Sequence, residues 1–256
     1  MTRDPIHWSQ LKHLARSAAH YHYAASHPFE PTAPMRLGTA CHALLLGATW
    51  PLVVYSGASR RNKGWTEFRD VTLREQPGAT ILLQSEMDVA NSMAASVLRC
   101  PDAMAALDGT HELELGWTIA GRRCAGRLDV CGRRLTDLKS TRNASPAAFP
   151  WDVRKMLYDG QMGWYYDGAI AAGHPEPDKV SIVAVENTAP YCVVVYDFSP
   201  ERLELGRRRA RALLEQLLVC EAADEWPGYT QSPVVLDVMD QDGDAGLDFG
   251  EEEAAT

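Results

Sequence analysis

The stretch Gly126-Arg-Leu-Asp129-Val-Cys-Gly132-Arg-Arg-Leu-Thr-Asp137-Leu-Lys139-Ser-Thr141 holds three side chains suited to one chemistry. It reads as a strand ending in Asp129, a Gly-centred turn, and a second strand carrying Asp137-Leu-Lys139. Carboxylate oxygens are the ligands Mg²⁺ prefers, and such sites commonly use one or two of them with waters and substrate phosphates. A lysine beside the metal orients or deprotonates water, or offsets charge developing on a phosphate. The set therefore points to metal-dependent cleavage of a phosphodiester. Asp137 and Lys139, two apart on a strand, share a face while Leu138 turns to the core. The hairpin brings Asp129 toward Asp137, but the register is open. Asp-x-Lys alone also describes an exposed strand of alternating charge. The apolar context and the Arg-Leu-Asp on the paired strand favour a site.

Further candidates lie elsewhere. His42 sits in the apolar segment Leu37–Leu46, where a lone histidine is either a satisfied core residue or a ligand. Gly38 lets that helix approach another backbone closely. Gln161 and Tyr165 are four apart and share a helix face. With Trp164 and Tyr166 they read as an aromatic core stripe, or as a group positioning water or a DNA phosphate. Glu112 and Glu114 share a strand face, each readable as surface charge, with Glu114 a further carboxylate for a metal. Arg60, Arg61 and Lys63, and again Arg207, Arg208, Arg209 and Arg211, are either solvated surface or phosphate contacts.

These residues need a scaffold. Apolar spacing at Trp8, Leu11, Leu14, Ala15 and Ala18 predicts a helix over 7–26. Pro28, Pro31 and Pro34 mark a loop. A helix over 35–46 is apolar nearly all round and is expected to be buried. A strand at 51–55, the basic loop 59–65, a helix over 64–75 and an extended piece at 81–83 follow. Ser85-Glu-Met-Asp88 has the pattern of a capping box, opening a helix to about Cys100. Segments 112–119, 123–130 and 134–139 predict an antiparallel meander. Asp152 starts a helix over 153–172. Strands at 179–186 and 191–198 precede a last helix, with Ser199 as its cap, Pro200 at its first position and its end near Ala223. The order implies an α/β (α+β) fold, a mixed central sheet flanked by helices, in a single domain over 1–236.

Composition bounds the rest. The chain has 256 residues, is 46 % hydrophobic and carries a net charge of −9. From residue 212 onward there are 12 acidic residues and no Lys or Arg, so residues 1–211 hold 25 basic and 22 acidic ones, a net of +3. A mildly basic body meets an acidic segment, and 237–256 reads as a disordered tail, either solubilising or a partner-binding arm. Apolar runs such as 43–46 and 193–196 are far short of the ~20 residues a spanning helix needs, so no membrane association is expected. No secretory h-region precedes the first helix. The six cysteines have no C-x-x-C spacing, against a zinc ribbon or iron–sulfur site. Together these favour a cytoplasmic protein with reduced thiols.

In order and spacing, these residues resemble the PD-(D/E)xK nuclease superfamily, more narrowly its RecE-type, exodeoxyribonuclease VIII-like branch of phages and prophages. The likeness runs over most of 6–200. It takes in Leu11…Ala18-Ala-His20-Tyr21, then Met35-Arg-Leu-Gly38-Thr-Ala-Cys-His42, similar to a G-T-A-x-H helix, and Arg60-Arg-Asn-Lys63-Gly-Trp65. It continues through the Glu114 strand, Arg127-Leu-Asp129…Asp137-Leu-Lys139-Ser-Thr141, a Q-x-x-x-Y helix at Gln161–Tyr165, and Glu186-Asn-Thr-Ala-Pro190-Tyr191. Leu128 stands where relatives often have Pro. The cysteines do not match the iron–sulfur cluster of the CRISPR-associated branch.

The resemblance implies His42, Asp129, Asp137 and the Leu138 backbone carbonyl as ligands of Mg²⁺, with Mn²⁺ substituting. It makes Lys139 the catalytic lysine and has Gln161 and Tyr165 position water or the DNA end. Arg60, Arg61, Lys63 and Arg127 are the expected DNA contacts. The implied activity is hydrolysis of linear double-stranded DNA from 5′ ends, leaving 3′ tails for a RecT-like annealing recombinase. The expected assembly is a ring-shaped homo-oligomer, trimer or tetramer. A structure-specific or restriction-type endonuclease of the same fold, or a non-catalytic DNA-end-binding, recombinase-loading protein, remain alternatives.

Overall fold

The computed structural model describes residues 4–27, 31–47, 50–230 and 232–234; the acidic tail lies outside them. The chain opens with β1 (Ile6–His7), α1 (Trp8–Leu11), a 3₁₀ turn (Lys12–Ala15) and α2 (Ala18–Ser26). The single helix expected here is broken at Ser17, whose backbone is extended and whose hydroxyl accepts the His20 N–H at 3.2 Å. A serine that bonds the backbone ahead of it favours a new helix start over continuation. Trp8, Leu11, Leu14 and Ala18 still reach the core, whereas Ala15 is exposed.

Next come α3 (Ala33–Leu46), β2 (Leu52–Tyr55), α4 (Lys63–Glu75), β3 (Thr80–Leu83), α5 (Gln84–Leu98) and α6 (Pro101–Ala106). β2 and β3 form a small parallel sheet. α3 is not buried all round: Ala40, Cys41 and Leu46 are, while Met35 and Leu44 are exposed. The expected capping box shifts by two residues. Leu83 is the extended residue before α5 and Glu86 accepts its N–H at 2.9 Å, with Ser85 already inside the helix.

The meander forms as expected: β4 (Thr110–Ile119), β5 (Arg122–Cys131) and β6 (Arg134–Thr141), antiparallel in sequence. The helix expected over 153–172 is two, α7 (Phe149–Met156) and α8 (Tyr158–Ala171), separated by Leu157 at φ +57°. β7 (Lys179–Glu186), β8 (Val193–Asp197) and α9 (Pro200–Ala223) complete the fold. Ser199 caps α9 by accepting the Arg202 N–H at 3.2 Å, and Pro200 takes its first position. The mixed sheet runs β1-β5-β6-β7-β8, with β4 on the other edge of β5. β7 lies parallel to β6 and antiparallel to β8, and its residues 180–185 are all buried. α3, α5 and α6 cover one face through Cys41, Met93, Val97 and Ala103 against Leu138 and Val183. α8 covers the other through Met162, Tyr166 and Ala169 against Leu135 and Val180.

One departure from regular pairing matters most. β5 and β6 are paired only beside their turn, at Val130↔Thr136 and Cys131↔Leu135. Past these, β6 follows β7 while β5 follows β4. The hairpin forks where Asp129 and Asp137 would have faced each other.

α8 is locked to α9 by close backbone approach. A Cβ on Gly163 would lie 2.4 Å from the Arg207 nitrogen, and one on Gly206 2.0 Å from the Asp159 carbonyl oxygen. Fully buried Asp159 pairs with Arg209 and, at 3.5 Å, with Arg202. Arg207 and Arg211 both pair with Asp167, at 2.7 and 2.9 Å. The arginines of α9 read as possible phosphate contacts thus mostly serve to clamp two helices. Gly206→Ala is expected to cost about 1–3 kcal/mol by overpacking, lowering the melting temperature by roughly 2–10 °C. A thermal melt unchanged from the parent would refute this close contact.

Candidate active site

Asp129 stands at the fork. Its Oδ2 accepts the Leu138 N–H at 2.8 Å, a side-chain bond where the ladder has lapsed. That bond orients the carboxylate so that Oδ1 lies 3.7 Å from His42 Nδ1. His42 arrives from α3, and its Nε2 donates to the Leu138 carbonyl at 2.8 Å. Gly38 permits this approach, because a Cβ there would meet Ser140 Oγ at 3.1 Å. The main chain of Leu138 therefore grips both residues, Asp129 through its N–H and His42 through its C=O.

Glu112 completes a donor set. In the β4–β5 ladder it falls opposite Asp129, at the one step from Thr110 to Ile119 that is unpaired. Its φ of +50° is left-handed, a conformation rare in glutamate and concentrated at functional positions. Its Oε1 lies 3.8 Å from His42 Nδ1 and its Oε2 3.0 Å from Arg127 Nε. Neither buried oxygen has a well-formed hydrogen bond. One donor atom from each of His42, Glu112 and Asp129 lies within 4.8 Å of the others. Two carboxylates and an imidazole, the imidazole oriented by a backbone carbonyl through its other nitrogen, fit a divalent cation.

Beside this set runs a chain of polar contacts. Lys139 Nζ is 2.5 Å from Asp137 Oδ2 and 4.8 Å from the centre of the Tyr158 ring. Asp137 Oδ1 accepts from Gln161 Nε2 at 3.0 Å, and the same nitrogen lies 3.3 Å from Tyr165 Oη. The period-2 expectation for Asp137 and Lys139 holds. Both groups of residues line or adjoin one cavity of about 950 Å³, with Lys12, Trp50 and Glu114 also on its wall.

The cluster is electrostatically strained. Burial pulls the His42 imidazole down, but Asp129, Glu112 and Asp137 outweigh it and push its pKa up to about 9. Burial raises Asp137 to about 6, with Asp129 adding to the rise and Lys139 opposing it. Lys139 is itself disfavoured by burial, yet Asp137 and Asp129 hold it above the ordinary lysine value. Burial, then Asp137 and Asp129, push the Tyr165 phenol up to about 12.

Not every expected residue falls where the sequence reading placed it. His42 and Asp129 join the donor set; Asp137, Lys139, Gln161 and Tyr165 form the adjoining chain. The Leu138 carbonyl, expected as a ligand, is taken by His42. Asp137, also expected as a ligand, is held by Lys139 and Gln161. Glu114 is exposed on the cavity wall, and Glu112 stands where a third carboxylate was sought. Arg127 is at the cavity, ion-paired to Glu112 and lying over the Trp50 ring at 4.4 Å. Arg60 is no free DNA contact: it donates to Glu86 Oε1 at 2.7 Å and to the Ile81 carbonyl at 3.1 Å. Arg61 and Lys63 are exposed away from the cavity, with Lys63 3.7 Å from Glu67.

A family described as a PDDEXK-like domain of unknown function (DUF3799) matches residues 7–233. The chain belongs to that family. Its PD-(D/E)xK nuclease fold is seen again in a crystal structure from Eubacterium rectale of a protein named as a candidate exonuclease. The two are 12 % identical, with a TM-score of 0.65 over 90 % of this chain and 91 % of that one. At that identity the likeness concerns the fold. A second solved chain, at 12 % identity and a TM-score of 0.31 over 81 % and 84 % of the two chains, is too distant to carry an argument. No curated protein sequence matches. Within this PDDEXK-like chain the sequence reading undervalued Glu112. Alternation along β4 gives it the same standing as Glu114, and nothing in His111-Glu112-Leu113 announces a left-handed residue.

Three measurements follow. Glu112→Gln is expected to weaken Mn²⁺ binding by ~10-fold or more, on the scale of losing an orienting group at a metal site, with Glu114→Gln close to the parent; the reverse ranking would reject Glu112. Cation binding must also displace the His42 proton. With a pKa of about 9 against an ordinary 6.5, that proton is still present at pH 7.5. Calorimetric titration in buffers of different ionisation enthalpy should show about one proton released. In the metal-free protein the same raised value contributes stability that is full below 6.5 and lost as pH rises through 9. The melting temperature should fall over that window, and less steeply in His42→Ala.

Proposed function

We propose that this protein is a divalent-cation-dependent DNA exonuclease using Mg²⁺, with Mn²⁺ able to replace it. One observation carries the reading: a His42/Glu112/Asp129 donor set, half-buried to buried, shares or adjoins one cavity with the Asp137–Lys139 pair. The residues that would hold the cation are His42, Glu112 and Asp129, with Asp137 the next carboxylate in electrostatic contact with Asp129 and His42. When bound, a divalent cation polarises the scissile phosphate and offsets the charge that develops on it.

The chain's own residues supply the rest. The raised pKa keeps Lys139 an ammonium at neutral pH, so it serves as a hydrogen-bond donor and positive charge, not as the base. Asp137 and Gln161 fix its position, and the Tyr158 ring closes one side of its ammonium. Tyr165 stays protonated and donates. Water adds to phosphorus as the ester P–O bond breaks, leaving a phosphate monoester and a free hydroxyl. Preorganised donors aimed at the charge formed in that step are worth most in a water-poor site.

The choice of exonuclease is supported by the RecE-type resemblance and by the name of the E. rectale neighbour. The finer parts of the proposal rest on the RecE-type resemblance alone: linear duplex substrate, 5′→3′ direction, 3′ tails passed to an annealing recombinase and a homo-oligomeric ring; action in the cytoplasm rests on the scattered free cysteines. End-labelled linear duplex should be degraded in Mg²⁺ and spared in chelator, with closed circles spared throughout. Lys139→Ala should lower the rate by ~100-fold or more, the scale of losing one transition-state donor, while keeping the parent's circular dichroism. Equal attack on circles would replace the exonuclease with an endonuclease, and metal-independent cleavage would reject the site.

A further inference from the structure

A second hollow, of about 500 Å³, adjoins the catalytic cavity and shares Lys12 and Met156 with it. Its walls are the 3₁₀ turn Lys12–Ala15 with Arg16, and the end of α7 with Leu157. The ionisable residues lining it, Lys12, His13, Arg16 and Lys155, are all of basic type, with no carboxylate among them. Lys12 stands at the junction, half-buried, and its ammonium has no ion pair or hydrogen bond to the described residues. Burial, and then the Lys139 charge, lower its pKa. Arg16 donates its Nε to Tyr229 Oη at 2.7 Å.

This pattern differs from that of α9. Arg202, Arg207, Arg209 and Arg211 each have a carboxylate partner. A half-buried, unpaired lysine beside another buried cation is costly unless an anion compensates it. A second, independent observation points to the kind of anion. Trp151 is 68 % exposed and lies four residues before Lys155 on α7, so the two share a face. Arg154 stands 6.0 Å over its ring. Basic residues interleaved with an exposed indole bind phosphates and stack an unpaired base, and duplex DNA offers no free base face.

We propose that this hollow is the track of a single nucleic-acid strand continuous with the catalytic cavity. Lys12, Arg16 and Lys155 contact its phosphates, and Trp151 stacks on a base. The assignment rests on the nuclease reading above and adds to it which strand form the cavity accepts, and from which side.

The test is fluorescence anisotropy of a labelled single strand and its blunt duplex, with divalent cations chelated so that nothing is cut. Single-strand binding should weaken about tenfold in Trp151→Ala. The slope of log affinity against log salt should fall by about 0.7 for each of Lys12→Gln and Lys155→Gln, with Lys12→Arg near the parent. Trp151 and Lys155 are exposed, so their variants report even where Lys12→Gln fails to fold, as a thermal melt would show. If the parent binds single strands and the Trp151 and Lys155 variants match it in affinity and salt slope, the track is overturned and the nuclease reading stands. Loss confined to the duplex overturns the single-strand assignment. A parent that binds neither DNA form, chelated or with Ca²⁺ added, overturns both readings together.

Discussion

The peptide group of Leu138 does what no side chain in the site can do alone. Its N–H and C=O both point to the edge of β6 that faces β5, and both are released from sheet pairing there because the hairpin forks. The N–H then holds Asp129 and the C=O holds His42. A fully zipped hairpin would use those same groups for ladder bonds, and both ligands would lose their anchor. The fork is thus the condition for the site, and the elements around it keep it open: β7 pairs with β6 over 134–141, β4 pairs with β5, and the short β1 takes part of the vacated edge at Cys124 and Ala125.

Charge balance explains why a cation belongs there. Three buried or half-buried carboxylates, Glu112, Asp129 and Asp137, meet one ammonium from Lys139 and a guanidinium at the mouth from Arg127. Without more positive charge the cluster recruits protons, which is what the high His42 and Asp137 values express. Removing one partner from a buried charge group costs several kcal/mol, whereas a complete group can be near neutral. On the proposed reading a divalent ion would complete this one, by displacing protons that the metal-free cluster holds. The same field keeps Lys139 protonated, which separates it from lysines whose burial makes them bases.

Much of this was legible in the sequence, and the exceptions have causes. β7 is legible residue for residue because a strand buried on both faces, Val180 to Val185, is an apolar run interrupted only by Ser181. α9 was read through Ser199-Pro200, a cap that acts locally. Asp137 and Lys139 were paired correctly because a period of two needs no tertiary knowledge. The breaks at Ser17 and Leu157 were missed: an apolar stripe runs through both, and only packing against the sheet decides that the chain turns there. α3 looked like a buried helix because its cavity side, Met35, Gly38, Thr39 and His42, carries little polarity of its own. Alternation cannot prefer Glu112 to Glu114, because it is a rule about regular backbone and the site is built where the backbone ceases to be regular.

The same logic bears on how an acidic chain handles a polyanion. A net charge of −9, or +3 for residues 1–211, says little when many arginines are tied up in ion pairs with the protein's own carboxylates. Arg60 ties the loop before α4 to Glu86, and Arg207, Arg209 and Arg211 tie α9 to α8. What a phosphate meets at the cavity is a short local row: Lys139, paired to Asp137, then Lys12 and Lys155, which follow one another from the fork toward the end of α7. Attraction over a Debye length of about 10 Å depends on that short row and not on the total. On the proposed reading, a protein arranged this way would hold nucleic acid weakly over most of its surface and firmly only at the cavity.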